Sequence, residues 1–216
     1  MKTALFALAA LAPLASAHFK LNYPAARGFN EDNLAQFPCG SFDTPSSNRT
    51  VWPVSNGSIG LEMGHIDANV EVLIGFGNNP GSAFNTVLRK TFTEQGLGAF
   101  CMTSFSLPEG VNVTDGTNAT IQVLTNGDPD GGLYNCADIT FSTSAPDPDA
   151  GVCTNGTGVK TIAATSTQQP NETTDASTST SASASASGSK SAAVSALNAG
   201  IGGLAMAGAA ALAIVL

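Results

Sequence analysis

The chain has 216 residues and carries 16 acidic side chains against 8 basic ones, for a net charge of −8. This acidic balance excludes a simple electrostatic case for binding nucleic acid, so we expect no nucleic-acid partner. The length allows one domain or two small ones, and features at both ends of the chain reduce the part that is available for a core.

The first 17 residues have the pattern of a secretory signal peptide. Lys2 supplies a positive charge, Leu5–Leu14 is apolar, and Ala15-Ser16-Ala17 matches an A-x-A cleavage site. We therefore assign residues 1–17 to a signal peptide. Cleavage after Ala17 makes His18 the first residue of the mature protein.

The residues that follow predict a series of short strands. Phe19, Leu21 and Tyr23 alternate with polar residues, which predicts an edge strand that ends at Pro24. The next forty residues are rich in proline and are expected to be irregular. We expect Trp52, within this segment, to be a core residue.

The clearest predicted strand opens at His65. In its sequence, HIDANVEVLIGFG, the apolar residues Val70, Val72, Ile74 and Phe76 lie on one face. Further strands are predicted over residues 100–107, 117–125 and 133–142, while residues 83–93 suit either a strand or a short helix. No long amphipathic helix is predicted, so the pattern favours an all-β domain, a β-sandwich.

The chain contains four cysteines: Cys39, Cys101, Cys136 and Cys153. An even number in a secreted chain predicts two disulfides, with three possible pairings. We expect Cys39 to pair with Cys153 and Cys101 with Cys136, although the sequence alone does not decide this. A zinc site is disfavoured because no C-x-x-C pair is present.

The chain contains only two histidines, His18 and His65. After cleavage, His18 offers its α-amine and its ring Nδ1, two nitrogens that can close a chelate ring on one metal ion. A ring nitrogen of His65 would add a third. Nitrogen donors in this number favour copper, so we predict one Cu²⁺ per domain.

An oxygen ligand could complete this copper site. Asp138 follows Cys136 by two residues and therefore leaves the strand on the same face. Asp67, two residues after His65, is the competing carboxylate, and Tyr134 is a third neighbour to consider. The residues themselves leave this choice open.

The C-terminal end has the pattern of a glycosylphosphatidylinositol anchor signal. Residues 201–216 are apolar and run to the terminus, and small residues and a spacer precede them. A tail-anchored transmembrane helix is the alternative, but the apolar tail is short of the ~20 residues that such a helix needs. We expect residues 192–216 to be removed, with Ser191 or Gly188 as the attachment residue.

Between the domain and this signal, residues 159–191 are dominated by Ser, Thr and Ala. Such a segment lacks the large apolar side chains needed to form a core, so we predict a disordered, O-glycosylated stalk. Residues 18–158 remain for one globular domain. Six N-x-S/T sequons suggest N-glycosylation, at Asn48, Asn56, Asn112, Asn118, Asn155 and Asn171.

Four features together resemble one known family. These are the start HFKLNYPAARGF at His18, the G-H-I at Gly64–Ile66, the Y-N-C-A-D-I at Tyr134–Ile139 and the Ser-rich anchored tail. They resemble the fungal copper proteins similar to lytic polysaccharide monooxygenases, including the copper acquisition factors. The resemblance implies an immunoglobulin-like or fibronectin-like β-sandwich, and a histidine brace of His18 and His65 with Asp138 as an added ligand.

Two functions follow as hypotheses, with a third as background. The favoured one is a copper-binding protein on the extracellular face of the plasma membrane and in the cell wall, for copper acquisition or handling, without polysaccharide cleavage. A copper transporter and cell-wall glycans are the further partners to consider. The alternatives are a copper-dependent polysaccharide monooxygenase and a structural wall glycoprotein. Polysaccharide binding favours a flat aromatic surface, which this composition does not indicate.

Overall fold

The computed structural model describes residues 18–126, 132–164 and 170. In these residues nine strands and one short 3-10 helix form, and there is no α-helix. The strands are β1 (Phe19–Tyr23), β2 (Thr50–Pro53), β3 (Gly57–Met63), β4 (Asp67–Phe76), β5 (Thr86–Gln95), β6 (Gly98–Phe105), β7 (Asn118–Asn126), β8 (Gly132–Ser142) and β9 (Lys160–Ala163), and the 3-10 helix is Glu31–Asn33.

The strands form two sheets packed as a sandwich, which confirms the predicted all-β fold. The small sheet has the order β1-β3-β6, and the large sheet has the order β2-β8-β7-β4-β5-β9. All pairs are antiparallel except β2 with β8. Residues 83–93, left open between strand and helix, belong largely to strand β5. The expectation of an irregular segment was wrong for β2 and β3.

The core lies between the two sheets. On β4, Ala68, Val70, Val72 and Ile74 are buried, and the residues between them are less so. This period of two is the one that the sequence predicts for a half-buried strand. Trp52 is 1% exposed, as expected of a core residue, and its ring contacts those of two buried phenylalanines.

The structure contains two disulfides, as predicted, but pairs the cysteines differently. Cys39 bonds to Cys136 and Cys101 bonds to Cys153. The expected Cys101–Cys136 bond is wrong because Cys101 lies in the small sheet and Cys136 in the large one. Cys136 alternates with the core residue Ala137 and therefore faces away from the sandwich interior. There it holds the irregular segment that contains Cys39.

The structure contains a further strand beyond the predicted domain boundary at residue 158. Strand β9, which was assigned to the stalk, pairs with β5 from Phe92↔Ala163 to Gln95↔Lys160. Its side chains are all exposed, so the residues lack the apolar pattern that would have revealed the strand. Backbone pairing to an open sheet edge, which does not need such a pattern, explains the difference.

Several predicted segments lie outside the described residues. These are the signal peptide, most of the stalk, the anchor signal with Ser191 and Gly188, and Asn171. Of the other sequons, Asn48, Asn56, Asn112 and Asn155 are exposed and Asn118 is half-buried. Within residues 18–126 and 132–164, the structure contains no helix that is long and apolar enough to cross a membrane.

Candidate metal centre

His18 and His65 lie at the same end of the sandwich because β1 and β3 pair antiparallel. Phe19 is opposite Met63, and the Gly64 N–H donates a hydrogen bond to the His18 carbonyl at 2.8 Å. His65 is the next residue, on the connection that crosses from β3 in the small sheet to β4 in the large one. Both histidines are partly exposed. The two predicted nitrogen ligands are therefore neighbours in the fold.

The backbone beside His65 orients its ring. Nδ1 of His65 contacts the carbonyl oxygen of Asp67, and since a carbonyl can only accept, Nδ1 donates. The neutral ring then carries its lone pair on Nε2, the nitrogen that a metal would use. A backbone carbonyl is a common partner for the non-coordinating nitrogen of a metal-binding histidine.

The donor set of two imidazoles is incomplete in the uncleaved chain. Among the described residues, no group of three or more His, Cys, Asp and Glu lies close enough together to hold a metal. The predicted cleavage after Ala17 would add a donor that such a group does not include, because it would convert the peptide nitrogen of His18 into a free α-amine. The residues present thus fit a copper ion held by three nitrogens, provided that His18 is the mature terminus.

A shallow groove of about 350 Å³ lies beside His18. Its walls include the carboxylates of Glu31 and Glu62 and the side chain of Lys20, whose ammonium lies 5.8 Å from the centre of the Phe29 ring. The surroundings of His18 are therefore open and carry charges of both signs.

The structure places Asp138 away from the histidines, so its assignment as a copper ligand is wrong. Its carboxylate receives hydrogen bonds from Arg27 Nε at 2.8 Å and Arg27 Nη2 at 2.9 Å, from Thr120 Oγ1 at 2.6 Å and from the Ser46 N–H at 2.6 Å. The side chains of Asp138 and Arg27 are 0% and 3% exposed. Both carboxylate oxygens of Asp138 therefore already accept hydrogen bonds from other groups of the protein.

The strand register shows how far Asp138 lies from the site. Asp138 is opposite Thr120, which is opposite Gly75 on β4. Gly75 is eight residues along β4 from Asp67, the residue next to the histidine end, which corresponds to roughly 26 Å at about 3.3 Å per residue. Asp138 also faces outward with Cys136, as the sequence predicted, but that face carries the irregular segment and not the metal centre.

The pKa of Asp138 reflects this pairing. Burial by itself would raise the pKa of the carboxyl, but the hydrogen bonds from Arg27, Thr120 and Ser46 and the charge of Arg27 outweigh it and hold the pKa below the ordinary value of 3.8. Arg49 adds a second, longer ion pair at 3.7 Å. Asp138 is therefore a charged anchor between β8 and the preceding irregular segment.

The other two residues considered as ligands have different surroundings. Asp67 is exposed at the start of β4, and its Oδ1 accepts a hydrogen bond from Gln95. Tyr134 packs its ring edge-to-face on Phe37 at 5.3 Å between centres, and burial raises its pKa. Of the candidates in the described residues, Asp67 is thus the carboxylate that lies beside His65.

Comparison with known protein families identifies a match over most of this chain. The family model of the copper acquisition factor BIM1-like domain matches residues 16–158, which includes both histidines and all four cysteines. The chain belongs to this family. A copper-related role follows from membership.

Several curated proteins are similar to this chain in sequence. An uncharacterized protein of Aspergillus fumigatus is 50% identical over 175 residues, covering 77% of this chain and 72% of the relative. The lytic polysaccharide monooxygenase-like protein X325 of Hypocrea jecorina is 31% identical over 200 residues, covering 79% and 86%. Copper acquisition factor BIM1 of Cryptococcus neoformans var. grubii is 33% identical over 156 residues, covering 65% and 67%.

Sequence reasoning missed one unusual group near this end of the fold. Glu94, on β5 opposite Ala68, is 0% exposed, and neither carboxylate oxygen has a hydrogen-bond partner among the described residues. Burial, together with the charge of Asp67, raises the pKa of Glu94 to about 7. The local sequence TVLRKTFTEQ does not identify Glu94 as a buried residue. Most residues of β5 are only half-buried and Glu94 alone is fully buried, so the strand has no regular pattern from which its burial could be predicted.

Proposed function

We propose that the mature protein holds one Cu²⁺ in a histidine brace formed by the α-amine and ring of His18 and the ring of His65. The observation that supports this most directly is the backbone hydrogen bond from Gly64 to His18, which brings the processed terminus next to His65. Family membership supplies independent support for copper.

The chemistry of these donors favours copper over other divalent ions. Imidazole and amine nitrogens suit Cu²⁺, which binds a given nitrogen site more tightly than the other first-row ions, and a tetragonal arrangement accommodates three nitrogens with room for an oxygen. An α-amine has a pKa of roughly 7.7–8.0, so its proton is displaced at little cost near neutral pH.

The oxygen donor, if the protein supplies one, is a carboxylate other than Asp138. Asp67 is the described candidate, because its backbone already contacts the His65 ring. Asp128 and Asp130 belong to the connection from β7 to β8, outside the described residues. The described residues on either side of that connection are Asn126 at the end of β7 and Gly132 at the start of β8. Asn126 Oδ1 accepts a hydrogen bond from the N–H of Asn69 on β4.

The role proposed for the copper is acquisition or handling, without cleavage of polysaccharide. Two of the relatives are described as a copper acquisition factor and as a lytic polysaccharide monooxygenase-like protein. The alternative, a polysaccharide monooxygenase, is disfavoured because the groove beside His18 offers the ring of Phe29 but no flat aromatic surface among its lining residues. A structural wall glycoprotein would need no paired histidines.

The proposed location is the outer face of the plasma membrane, through a glycosylphosphatidylinositol anchor. The apolar residues 201–216 and the small residues before them support it. Phosphatidylinositol-specific phospholipase should release the protein from cells, and deletion of residues 201–216 should release it into the medium. Retention on the membrane after both treatments would favour a transmembrane tail.

Electron paramagnetic resonance of the copper-loaded mature protein tests the ligand assignment. His65→Ala should change the copper hyperfine coupling, because it removes an equatorial nitrogen, whereas Asp138→Asn should leave the spectrum unchanged. Asp67→Asn, Asp128→Asn and Asp130→Asn identify the carboxylate, if there is one. An unchanged spectrum in His65→Ala would contradict the brace, and oxidation of a polysaccharide by the wild-type protein with reductant and peroxide would favour the monooxygenase.

A further inference from the structure

A second groove, of about 440 Å³, lies at the open side of the sandwich. It runs between β6, the edge strand of the small sheet, and β5 with β9, the edge of the large sheet. None of its lining residues lines the groove beside His18. The two grooves are therefore separate features of the domain.

Cationic side chains are concentrated around this second groove, although the protein as a whole is acidic. The described residues include six lysines and arginines, of which Arg27 and Arg49 pair with Asp138. Three of the remaining four, Arg89, Lys90 and Lys160, line the groove. No aspartate or glutamate is among its lining residues. The local charge is therefore opposite to that of the chain as a whole.

Arg89 is held in place and lacks a counter-ion among the described residues. Its Nη2 donates to the Thr103 carbonyl at 2.8 Å, and its guanidinium lies 4.3 Å from the centre of the Phe105 ring. Burial lowers the pKa of Arg89, which shows that the charge is partly desolvated. A partly desolvated, pre-positioned guanidinium without an ion-pair partner is suited to bind an anion.

The rest of the lining suits a sugar more than a simple ion. Thr103 and Thr161 provide hydroxyl groups, and Phe92, Phe100 and other apolar side chains form the wall. Hydrogen-bonding groups combined with an apolar wall match the two faces of a sugar ring. The volume falls within the roughly 300–1,000 Å³ of ordinary ligand sites.

The edge of β6 is already closed, so this groove is not a site for adding a strand to the small sheet. Gly156 N–H donates to the Ala99 carbonyl and Cys101 N–H donates to Asn155 Oδ1, both at 2.7 Å, and Arg89 occupies the Thr103 carbonyl. A ligand there must bind through side chains.

We propose that this groove binds an acidic oligosaccharide, with its carboxylates on Arg89, Lys90 and Lys160 and its sugar faces against the apolar wall. A long polyanion such as nucleic acid is disfavoured because the chain as a whole carries a net charge of −8. The proposal is independent of copper, since the two grooves share no residue.

Isothermal titration calorimetry of the mature protein at low salt tests this proposal, with a galacturonic acid oligomer as the probe. A galactose oligomer of equal length is the neutral counterpart, and inorganic phosphate is the simple anion. We expect saturable binding of the acidic oligomer that weakens as salt is added, and much weaker binding of the other two.

Matched single substitutions locate the site. Lys90→Gln and Lys160→Gln remove exposed cations from the groove and should each weaken binding roughly two- to fivefold, as expected for partly exposed ion pairs. Lys20→Gln removes an equal charge elsewhere and should have no such effect. Absence of binding, equal binding of the neutral oligomer or phosphate, or an equal loss in Lys20→Gln would each overturn the proposal.

Discussion

Asp138 shows how a carboxylate can hold a fold together while lying far from the two histidines. The side chain is buried with Arg27, and this pair fixes the irregular segment before β2 onto the outer face of the large sheet. Removal of one partner of a buried ion pair leaves the other charge uncompensated, which typically costs about 3–5 kcal/mol.

We therefore predict that Asp138→Asn lowers the free energy of unfolding by about 3–5 kcal/mol. Asp43→Asn makes the same chemical change at an exposed position and should alter stability by no more than about 0.5 kcal/mol. Urea denaturation of the copper-free proteins measures both. If Asp138→Asn is as stable as the wild type but binds copper more weakly, Asp138 is a copper ligand after all.

Glu94 gives a second prediction at this scale, for the dependence of stability on pH. Its pKa in the folded protein is about 7, above the ordinary value of 4.5. Between these two pH values the folded state holds a proton on Glu94 that the unfolded state releases. The contribution of Glu94 to the free energy of unfolding is therefore greatest below pH 4.5 and is lost as the pH rises through 7. Above about pH 7, Glu94 no longer contributes to the pH dependence of the free energy of unfolding.

Glu94→Gln should remove this contribution. Between about pH 4.5 and 7, stability of the wild type relative to Glu94→Gln should fall, and the variant should be the more stable protein at pH 8. Glu109→Gln, at an exposed position, serves as the control. Thermal unfolding across this pH range provides the measurement, and parallel curves for wild type and Glu94→Gln would show that Glu94 is not buried as a neutral acid.

Among the elements, β9 has the clearest testable consequence. It covers the edge of β5 with four residue pairs and is attached to the domain by little else, since all its side chains are exposed. A chain that ends at residue 158 should be less stable than one that ends at residue 170, by about 1–3 kcal/mol for the lost edge hydrogen bonds. It should also aggregate more readily, because β5 becomes an open edge.

Thermal unfolding and light scattering of the two chains test this prediction. Both begin at His18 and contain both disulfides, so they differ only at the C-terminal end. Equal stability and equal solubility would mean that the domain ends at residue 158, where the family match also ends.

Strands with a two-residue apolar period could be predicted from the sequence, and the others could not. β4 has this period and was found with its correct inward face, and β1, β7 and β8 were placed within one or two residues. β3 was missed because glycines at Gly57 and Gly60 interrupt its apolar pattern. β9 was missed because its only partner is the backbone of β5.

The site was predicted in part for a similar reason. His18 could be identified from the cleavage motif and His65 from its rarity, because both signals are local in the sequence. The disulfide pairing and the partner of Asp138 depend on which face of a sheet each residue occupies, and on which segment covers that face. A single sequence does not contain that information.

At the scale of the whole molecule, the proposed function makes metal binding depend on removal of the predicted signal peptide. The β-sandwich brings His18 and His65 together through the β1–β3 pairing, but two imidazoles alone are a weak site. The proposed third nitrogen would become available only on cleavage after Ala17. Secretion and copper binding would thus be coupled through one peptide bond, and the protein would acquire its full donor set only after it leaves the cytosol.

Copper titration of two matched forms of the secreted domain tests this central claim most directly. One form begins at His18, as mass spectrometry of the intact protein must confirm, and the other carries a single extra alanine before His18. We predict one tightly bound Cu²⁺ in the first form. In the second the α-amine is displaced from the chelate, and the affinity should fall by at least about 100-fold, the loss of roughly 2.7 kcal/mol. Equal affinity in the two forms would contradict the account.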